Sequence, residues 1–181
     1  MSKPNFLKTA LADYKIGAVS KSSKYVIRRV LKHIAGPLGL IVEYGPGEGV
    51  LTRALLAKLS PAGKLIAVET NGEFAKTVRA IPDPRIEVIH GTAEQADSML
   101  VNLPEVDLIV SSIPFSFLSP ADREKIVSDA SSFLAAGGSL IIFHQYSLLM
   151  LKIVKRHFKN VSVSFEPRNF LPCFIIVARK S

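Results

Sequence analysis

The sequence has a single cysteine, Cys173, in 181 residues. One thiol cannot form an internal disulfide, and a cysteine-rich zinc site is excluded. No metal site is expected, and a reducing, cytoplasmic setting is the default. Long apolar runs are also missing. The most apolar stretch, Phe133 to Val154, is broken by Gly137-Gly138 and by His144-Gln145, so it falls short of the roughly 18 uninterrupted apolar residues of a membrane-crossing helix. The start, Met1-Ser2-Lys3-Pro4-Asn5-Phe6, is basic with no apolar core of signal-peptide length behind it. Glycine and proline number 11 each, too few for collagen or a low-complexity chain. No internal repeat and no Pro- or Ser-rich linker divides the chain. Hydrophobic residues make up 48% of it, which excludes a disordered polar segment. A single domain of this length buries roughly 70% of its unfolded surface.

Acid is scarce at both ends. Residues 1–33 hold eight bases (Lys3, Lys8, Lys15, Lys21, Lys24, Arg28, Arg29 and Lys32) against Asp13 alone. Residues 34–149 hold eight bases and thirteen acids, and residues 150–181 hold seven bases against Glu166. The three segments carry +7, −5 and +6 within a net charge of +8. Basic ends around an acidic middle point to an anionic partner, either nucleic acid or an anionic membrane surface. Charge alone fits a plain solvated surface as well.

Along the chain, Phe6, Leu7, Ala10, Leu11 and Tyr14 recur at helical spacing with Lys8 and Asp13 off that face, which predicts a short basic amphipathic helix over Asn5 to Tyr14. Ser22-Ser23 offers an N-cap to a second helix with Val26, Val30, Leu31 and Ile34 on its apolar face, ended by Gly36-Pro37. From there strands and helices alternate. Strands are expected at Leu40 to Val42, Leu65 to Glu69, Ile86 to Ile89, Leu108 to Ser111, Ser139 to Phe143, Val161 to Phe165 and Phe174 to Ala178. Helices are expected at Leu51 to Leu59, Glu73 to Ala80, Ala93 to Leu100, Asp122 to Leu134 and Ser147 to Phe158. Apolar strands alternating with helices predict an α/β fold: a doubly wound, seven-stranded sheet, mostly parallel, with the last two strands as an antiparallel hairpin at one edge. The expected division is residues 1–35 for the amino-terminal helices and 36–181 for the sheet domain.

In such a sheet the ligand site lies at the carboxyl ends of the first strands. There the chain reads Glu43-Tyr44-Gly45-Pro46-Gly47-Glu48-Gly49-Val50-Leu51-Thr52. Glycines let the backbone turn sharply and approach a ligand closely. Glu69 closes the next strand 20 residues beyond Gly49, the spacing at which a carboxylate accepts both ribose hydroxyls of a nucleotide. A dinucleotide loop, G-x-G-x-x-G, has a small third residue where this chain has Val50. The observed G-x-G-x-G with an acid before it instead resembles motif I of the class I S-adenosylmethionine-dependent methyltransferases, a family with a Rossmann-like fold. The resemblance implies S-adenosyl-L-methionine as cofactor, with Glu43 facing its methionine part, Gly45, Gly47 and Gly49 beneath it, and Glu69 on its ribose.

Two further strings extend the likeness. Val88-Ile89-His90-Gly91-Thr92-Ala93-Glu94 is similar to the family's Gly-Asp-Ala segment, with Thr92 in the place of the adenine-binding acid and Ala93 beside it. Thr92 also fits a plain helix N-cap. Asp107-Leu108-Ile109-Val110-Ser111-Ser112-Ile113-Pro114-Phe115 resembles motif IV of the enzymes that methylate amino nitrogens. There Ser112 replaces an Asn and Phe115 a Tyr. A hydroxyl accepts a hydrogen bond with a shorter reach than an amide, and Phe115 keeps a ring face for a base or a cation. Ser111 stands at the cofactor end of that string.

Outside the cofactor strings the chain resembles the bacterial phospholipid N-methyltransferases. That likeness rests on Phe6-Leu7 through Ile16-Gly17-Ala18-Val19 with Ser22-Ser23, where Lys21 and Lys24 replace Pro and Arg, and on Ser111-Ser112-Ile113-Pro114, Tyr146 and Asn169-Phe170-Leu171-Pro172-Cys173, where Leu171 and Cys173 depart from the pattern. Ornithine-lipid N-methyltransferases share it. The resemblance implies transfer of a methyl group to a lipid amine, with Ser112, Phe115 and Tyr146 at the acceptor, by a monomeric enzyme peripheral on the inner face of the membrane. His144 lies near the same strand end, either to take the amine's proton or as a rim histidine. The runner-up is an RNA adenine-N6 methyltransferase related to the rRNA dimethylases, whose extra helical domain is not expected after the last strand. A third reading is a non-catalytic S-adenosylmethionine-binding protein.

Overall fold

The computed structural model describes residues 22–100, 103–145, 147–169 and 171–181. The expected first helix, Tyr146 and Phe170 lie outside the described residues. Ser23 opens helix α1 (Lys24–Leu31), and its hydroxyl accepts the Val26 amide at 3.3 Å. That pairs one of the N–H groups a helix start leaves open. Val26, Ile27 and Val30 are buried together, since residues three and four apart share a helix face. Lys24, Arg28 and Lys32 are exposed.

The chain continues through β1 (Leu38–Tyr44), α2 (Val50–Leu56), β2 (Leu59–Glu69), α3 (Gly72–Arg79) and β3 (Ile86–His90). A 3-10 turn at Ala93–Gln95 runs into α4 (Ala96–Leu100), followed by β4 (Val106–Ser111) and a second such turn at Phe115–Phe117. Then come α5 (Pro120–Phe133), β5 (Leu134–Gln145), α6 (Leu151–His157), β6 (Asn160–Glu166) and β7 (Cys173–Arg179).

The seven strands lie in the order β3-β2-β1-β4-β5-β7-β6. β1 to β5 pair in parallel, and β7 pairs antiparallel with both β5 and β6. This is the expected doubly wound sheet with its reversed carboxyl-terminal pair, a Rossmann-like topology. Strand order reverses between β1 and β4, which makes the crevice at their carboxyl ends the natural ligand position.

Alternation along each strand divides the core in two. Leu40, Val42 and Tyr44 face a cluster with Ala96 and Leu100 of α4, Ile126, Val127 and Ala130 of α5, and Val154 of α6. Ile41 faces the other, with Leu51 and Leu55 of α2, Val78 of α3, and Val26 and Val30 of α1. Helix α1, grouped with the amino-terminal segment in the sequence reading, thus packs into the sheet's own core. Among the described residues no helix is long and apolar enough to cross a membrane.

Candidate functional site

β1 and β4 end side by side, Glu43 level with Val110 and Tyr44 with Ser111. The chain leaves β1 through glycines with φ of 74° at Gly45, 55° at Gly47 and 75° at Gly49. A residue with a Cβ resists that left-handed backbone by about 1–2 kcal/mol. The loop has a packed side and a bare side. A Cβ on Gly45 would lie 2.8 Å from Ile113 Cγ2, whereas one on Gly47 meets nothing within 4 Å.

Glu69 ties this loop to β2. It is 3% exposed; its Oε2 accepts the Gly47 N–H at 3.0 Å and its Oε1 the Asn71 N–H at 2.9 Å. A carboxylate offers about four lone-pair positions, so capacity remains for further donors. Glu43 is buried differently. At 2% exposure its Oε2 has no hydrogen-bond partner. Burial pushes its carboxyl up to about 7; the neighbouring Thr52 offsets part of that and the Glu69 charge adds to it. Ser111, 1% exposed, likewise has an unpartnered hydroxyl. Buried groups in this condition wait for a donor or a cation.

The remaining expected residues separate. Ser112 is exposed at the end of β4; its hydroxyl donates to Gly45 O at 2.8 Å and its amide to Tyr44 O at 3.1 Å. With its proton committed there, the oxygen's lone pairs are left for an incoming N–H. Ala93 is 6% exposed at the start of the turn after β3. Thr92 takes the N-cap position of that turn in extended backbone, its carbonyl accepting the Gln95 amide at 3.1 Å, while its side chain makes no cap bond. Phe115 needs a correction. It has 0% exposure and belongs to the core under α4 to α6, so its ring shapes the core and offers no face to an acceptor. Proline ahead of it turns the chain inward. Tyr146 lies outside the described residues.

On the β5 side, His144 is partly buried near the strand end with an unpartnered Nδ1, and burial lowers its pKa, which favours the neutral ring. The other histidines are engaged elsewhere: His33 with Ser164, His90 with Thr70 O, and His157 with Glu124.

One arrangement went unread in the sequence. The Ser23 amide donates to Asn169 Oδ1 at 2.9 Å, the Ser23 hydroxyl donates to Arg168 O at 2.8 Å, and Asn169 Nδ2 donates to Leu171 O at 2.9 Å. Beside this clasp Glu166, 1% exposed, receives Arg168 Nε at 2.7 Å and Arg29 Nε at 2.9 Å. The Arg168 hydrogen bond above all holds its carboxyl at about 2, with Arg29 contributing. The Arg168 guanidinium stacks 4.5 Å from the Tyr25 ring. Two separate sequence strings, Ser22-Ser23 and the one beginning at Asn169, therefore meet. Thr52 was also missed; a polar residue among the buried Leu51, Leu55 and Leu56 of α2 was its available signal.

Residues 41–138, more than half of the chain, match the methyltransferase domain family. The chain belongs to that family: it is a class I S-adenosylmethionine-dependent methyltransferase. The methyltransferase is similar to an ornithine lipid N-methyltransferase of Singulisphaera acidiphila, 23% identical over 87% of this chain and 84% of that protein. It is also similar to a probable ribosomal RNA small subunit methyltransferase A of Pyrobaculum aerophilum, 38% identical over 50% of this chain but only 38% of that protein. A solved structure titled precorrin-6y C5,15-methyltransferase from Geobacter metallireducens has the same fold, with a TM-score of 0.70, 17% identity, and coverage of 89% of this chain and 90% of that one.

S-adenosylmethionine, when bound, supplies a methyl group on a positively charged sulfonium. The methyltransferase's residues fit that group: a buried carboxyl with an open oxygen, Glu43, stands beside a loop whose Gly47 presents bare backbone to open space.

Proposed function

We propose that this methyltransferase transfers the methyl group to the amine headgroup of a phospholipid or aminolipid, as a peripheral enzyme on the inner face of an anionic membrane. The observation that carries the reading is coverage. Likeness to the ornithine lipid enzyme runs over 87% of this chain and 84% of that protein, whereas likeness to the ribosomal RNA enzyme covers 50% and 38%. The +7 on residues 1–33 supports it, since each Lys or Arg near an anionic bilayer contributes about 1 kcal/mol of attraction.

In this reading Glu43 balances the cofactor's positive methionine end, while Gly45, Gly47 and Gly49 let its backbone lie close. Glu69 accepts the ribose hydroxyls, and Thr92, Ala93 and Ser111 complete the cradle. The Ser112 oxygen accepts a hydrogen bond from the acceptor amine and orients its lone pair toward the methyl carbon. The N–C bond forms as the C–S bond breaks, leaving S-adenosylhomocysteine. Holding the three centres in line is the main contribution. Tyr146 is the candidate to hold the amine as it becomes cationic, and the neutral His144 the candidate to receive its proton.

The second reading, methylation of adenine N6 in RNA, has the 38% identity over 94 residues in its favour. Pure protein with methyl-labelled S-adenosylmethionine and either lipid vesicles or ribosomal RNA tests both. Label extracted into the organic phase is expected. Label in RNA overturns the lipid reading, and label in neither leaves a cofactor-binding protein without transfer.

A further inference from the structure

Among the described residues, most of the large apolar side chains left exposed gather in one region. Phe117, Leu148 and Leu149 are 39%, 42% and 38% exposed, and Val163 and Phe165 are 42% and 45% exposed. Phe117 ends the turn after β4 and Leu148-Leu149 follow β5, so these three leave the carboxyl ends of adjacent parallel strands. Their neighbours Phe115 and Met150 are buried in the core under α4 to α6, which sets both loops over that side of the sheet. β6 delivers the other two to the same side. Val161 packs on that core, and alternation sends Val163 and Phe165 after it; Ser164 and Glu166 point the other way, to His33 and Arg29. Phe165 is level with Phe174, its ring 4.9 Å away, and Phe174 is level with His144. An apolar ledge thus borders the acceptor end of the sheet.

The charge around it is mainly positive. Residues 112–119 carry none. Residues 144–168 carry Lys152, Lys155, Arg156, Lys159 and Arg168 against Glu166 alone, and that acid is buried between Arg29 and Arg168. Arg156 pairs with Glu124, while Lys152 and Lys155 are exposed along α6. Protruding apolar groups beside cations, with the nearby acids Asp122 and Glu124 already engaged by Ser119 and by Arg156 and His157, match the boundary between headgroups and acyl chains of an anionic bilayer. RNA would satisfy the cations and would find ring faces at Phe117 and Phe165, but the exposed aliphatic groups of Leu148, Leu149 and Val163 offer a base nothing to stack on and suit acyl chains.

The geometry points to this ledge as a membrane-docking surface: Phe117, Leu148, Leu149 and Phe165 seat in an anionic bilayer and hold the acceptor end of the site against the headgroups. The inference rests on the lipid reading and adds the face by which the enzyme sits.

The chain has no tryptophan, so Leu149→Trp makes emission report one place. With vesicles of phosphatidylglycerol and phosphatidylcholine the emission is expected to move to the blue and to be quenched by acyl-brominated lipid. With phosphatidylcholine alone it stays unchanged. The variant Leu148→Asp/Leu149→Asp is expected to lose about tenfold in sedimentation with anionic vesicles, while binding S-adenosylmethionine like the parent by calorimetry. Emission unmoved by anionic vesicles, full sedimentation of the double variant, or RNA binding that the double variant loses each overturns the ledge. Methyl transfer to detergent-dispersed lipid separates the two ideas. Label there with unmoved emission leaves lipid methylation standing without the ledge; shifted emission with no lipid labelled leaves the ledge without that activity.

Discussion

At the β1–β2 end of the sheet Glu43 and Glu69 are 2% and 3% exposed, while toward β5 and β6 Leu148 and Phe165 are 42% and 45% exposed. The two ends of one carboxyl edge thus invert the usual arrangement in opposite ways, one hiding carboxyls and the other showing apolar groups. A small, polar, charged cofactor requires the first kind of place, where backbone amides and carboxylates converge out of water. A large partner requires the second, where contact is made by surface. The comparison also separates two treatments of a buried acid. Glu43 is left with an open oxygen and its carboxyl pushed up to about 7, whereas Glu166 is closed by two guanidiniums and held at about 2. An acid already neutralised holds structure together; an acid left open has a ligand still to meet.

The largest effect is expected at Glu69. Glu69→Ala removes the acceptor of the Gly47 and Asn71 amides together with the proposed ribose contact. It should weaken S-adenosylmethionine binding by about 4 kcal/mol, roughly 1000-fold, by calorimetry. Unchanged affinity would remove the β2 end from the cofactor site.

Next comes the pH dependence of stability without cofactor. Folding raises the Glu43 carboxyl from 4.5 to about 7, so between those values the folded chain keeps a proton that the unfolded chain has lost. Wild type should therefore lose stability relative to Glu43→Gln as pH climbs through that window, by on the order of 3 kcal/mol in full at pH 8. The lowered pKa values of His33 and His144 act in the opposite sense and cancel in the difference. Urea unfolding of both proteins at pH 4.5 and pH 8 reads it, and a constant difference would mean that Glu43 has a partner in the fold.

The smallest effect sharpens the division between the ends. Asn169→Ala removes the acceptor of the Ser23 amide and should cost about 1–2 kcal/mol in urea unfolding while leaving cofactor affinity within twofold. A cofactor affinity that falls in step would show that the two ends are one unit.

The β1–β2 end was legible because its chemistry constrains the backbone itself. Left-handed φ values at Gly45, Gly47 and Gly49 demand residues that a reader can see, and Glu69 stands at the end of an apolar run. The β4–β6 end was written in contacts with no local signature. Phe115 follows a proline turn whose direction, inward to the core, depends on α5 and α6. The expected helix from Ser147 begins only at Leu151, because the Ser147 hydroxyl takes the Leu149 amide at 3.0 Å, a local bond that competes with a helical start. β2 and β5 begin earlier than the apolar runs implied, at Leu59 and Leu134, through rungs with shifted register. Gly137, at φ 79°, lies in the second of these.

The clasp has a consequence for how the molecule is made. Ser23 waits for Asn169, 146 positions later, and Arg29 for Glu166, 137 positions later. A ribosome must therefore deliver the β6–β7 turn before α1 can be fastened to it, and closing so long a loop is slow. Strands β1 to β4 emerge complete while that turn is still unmade. The segments that carry the glycine cradle thus emerge early in the life of each chain, and the turn that fastens α1 is delivered late.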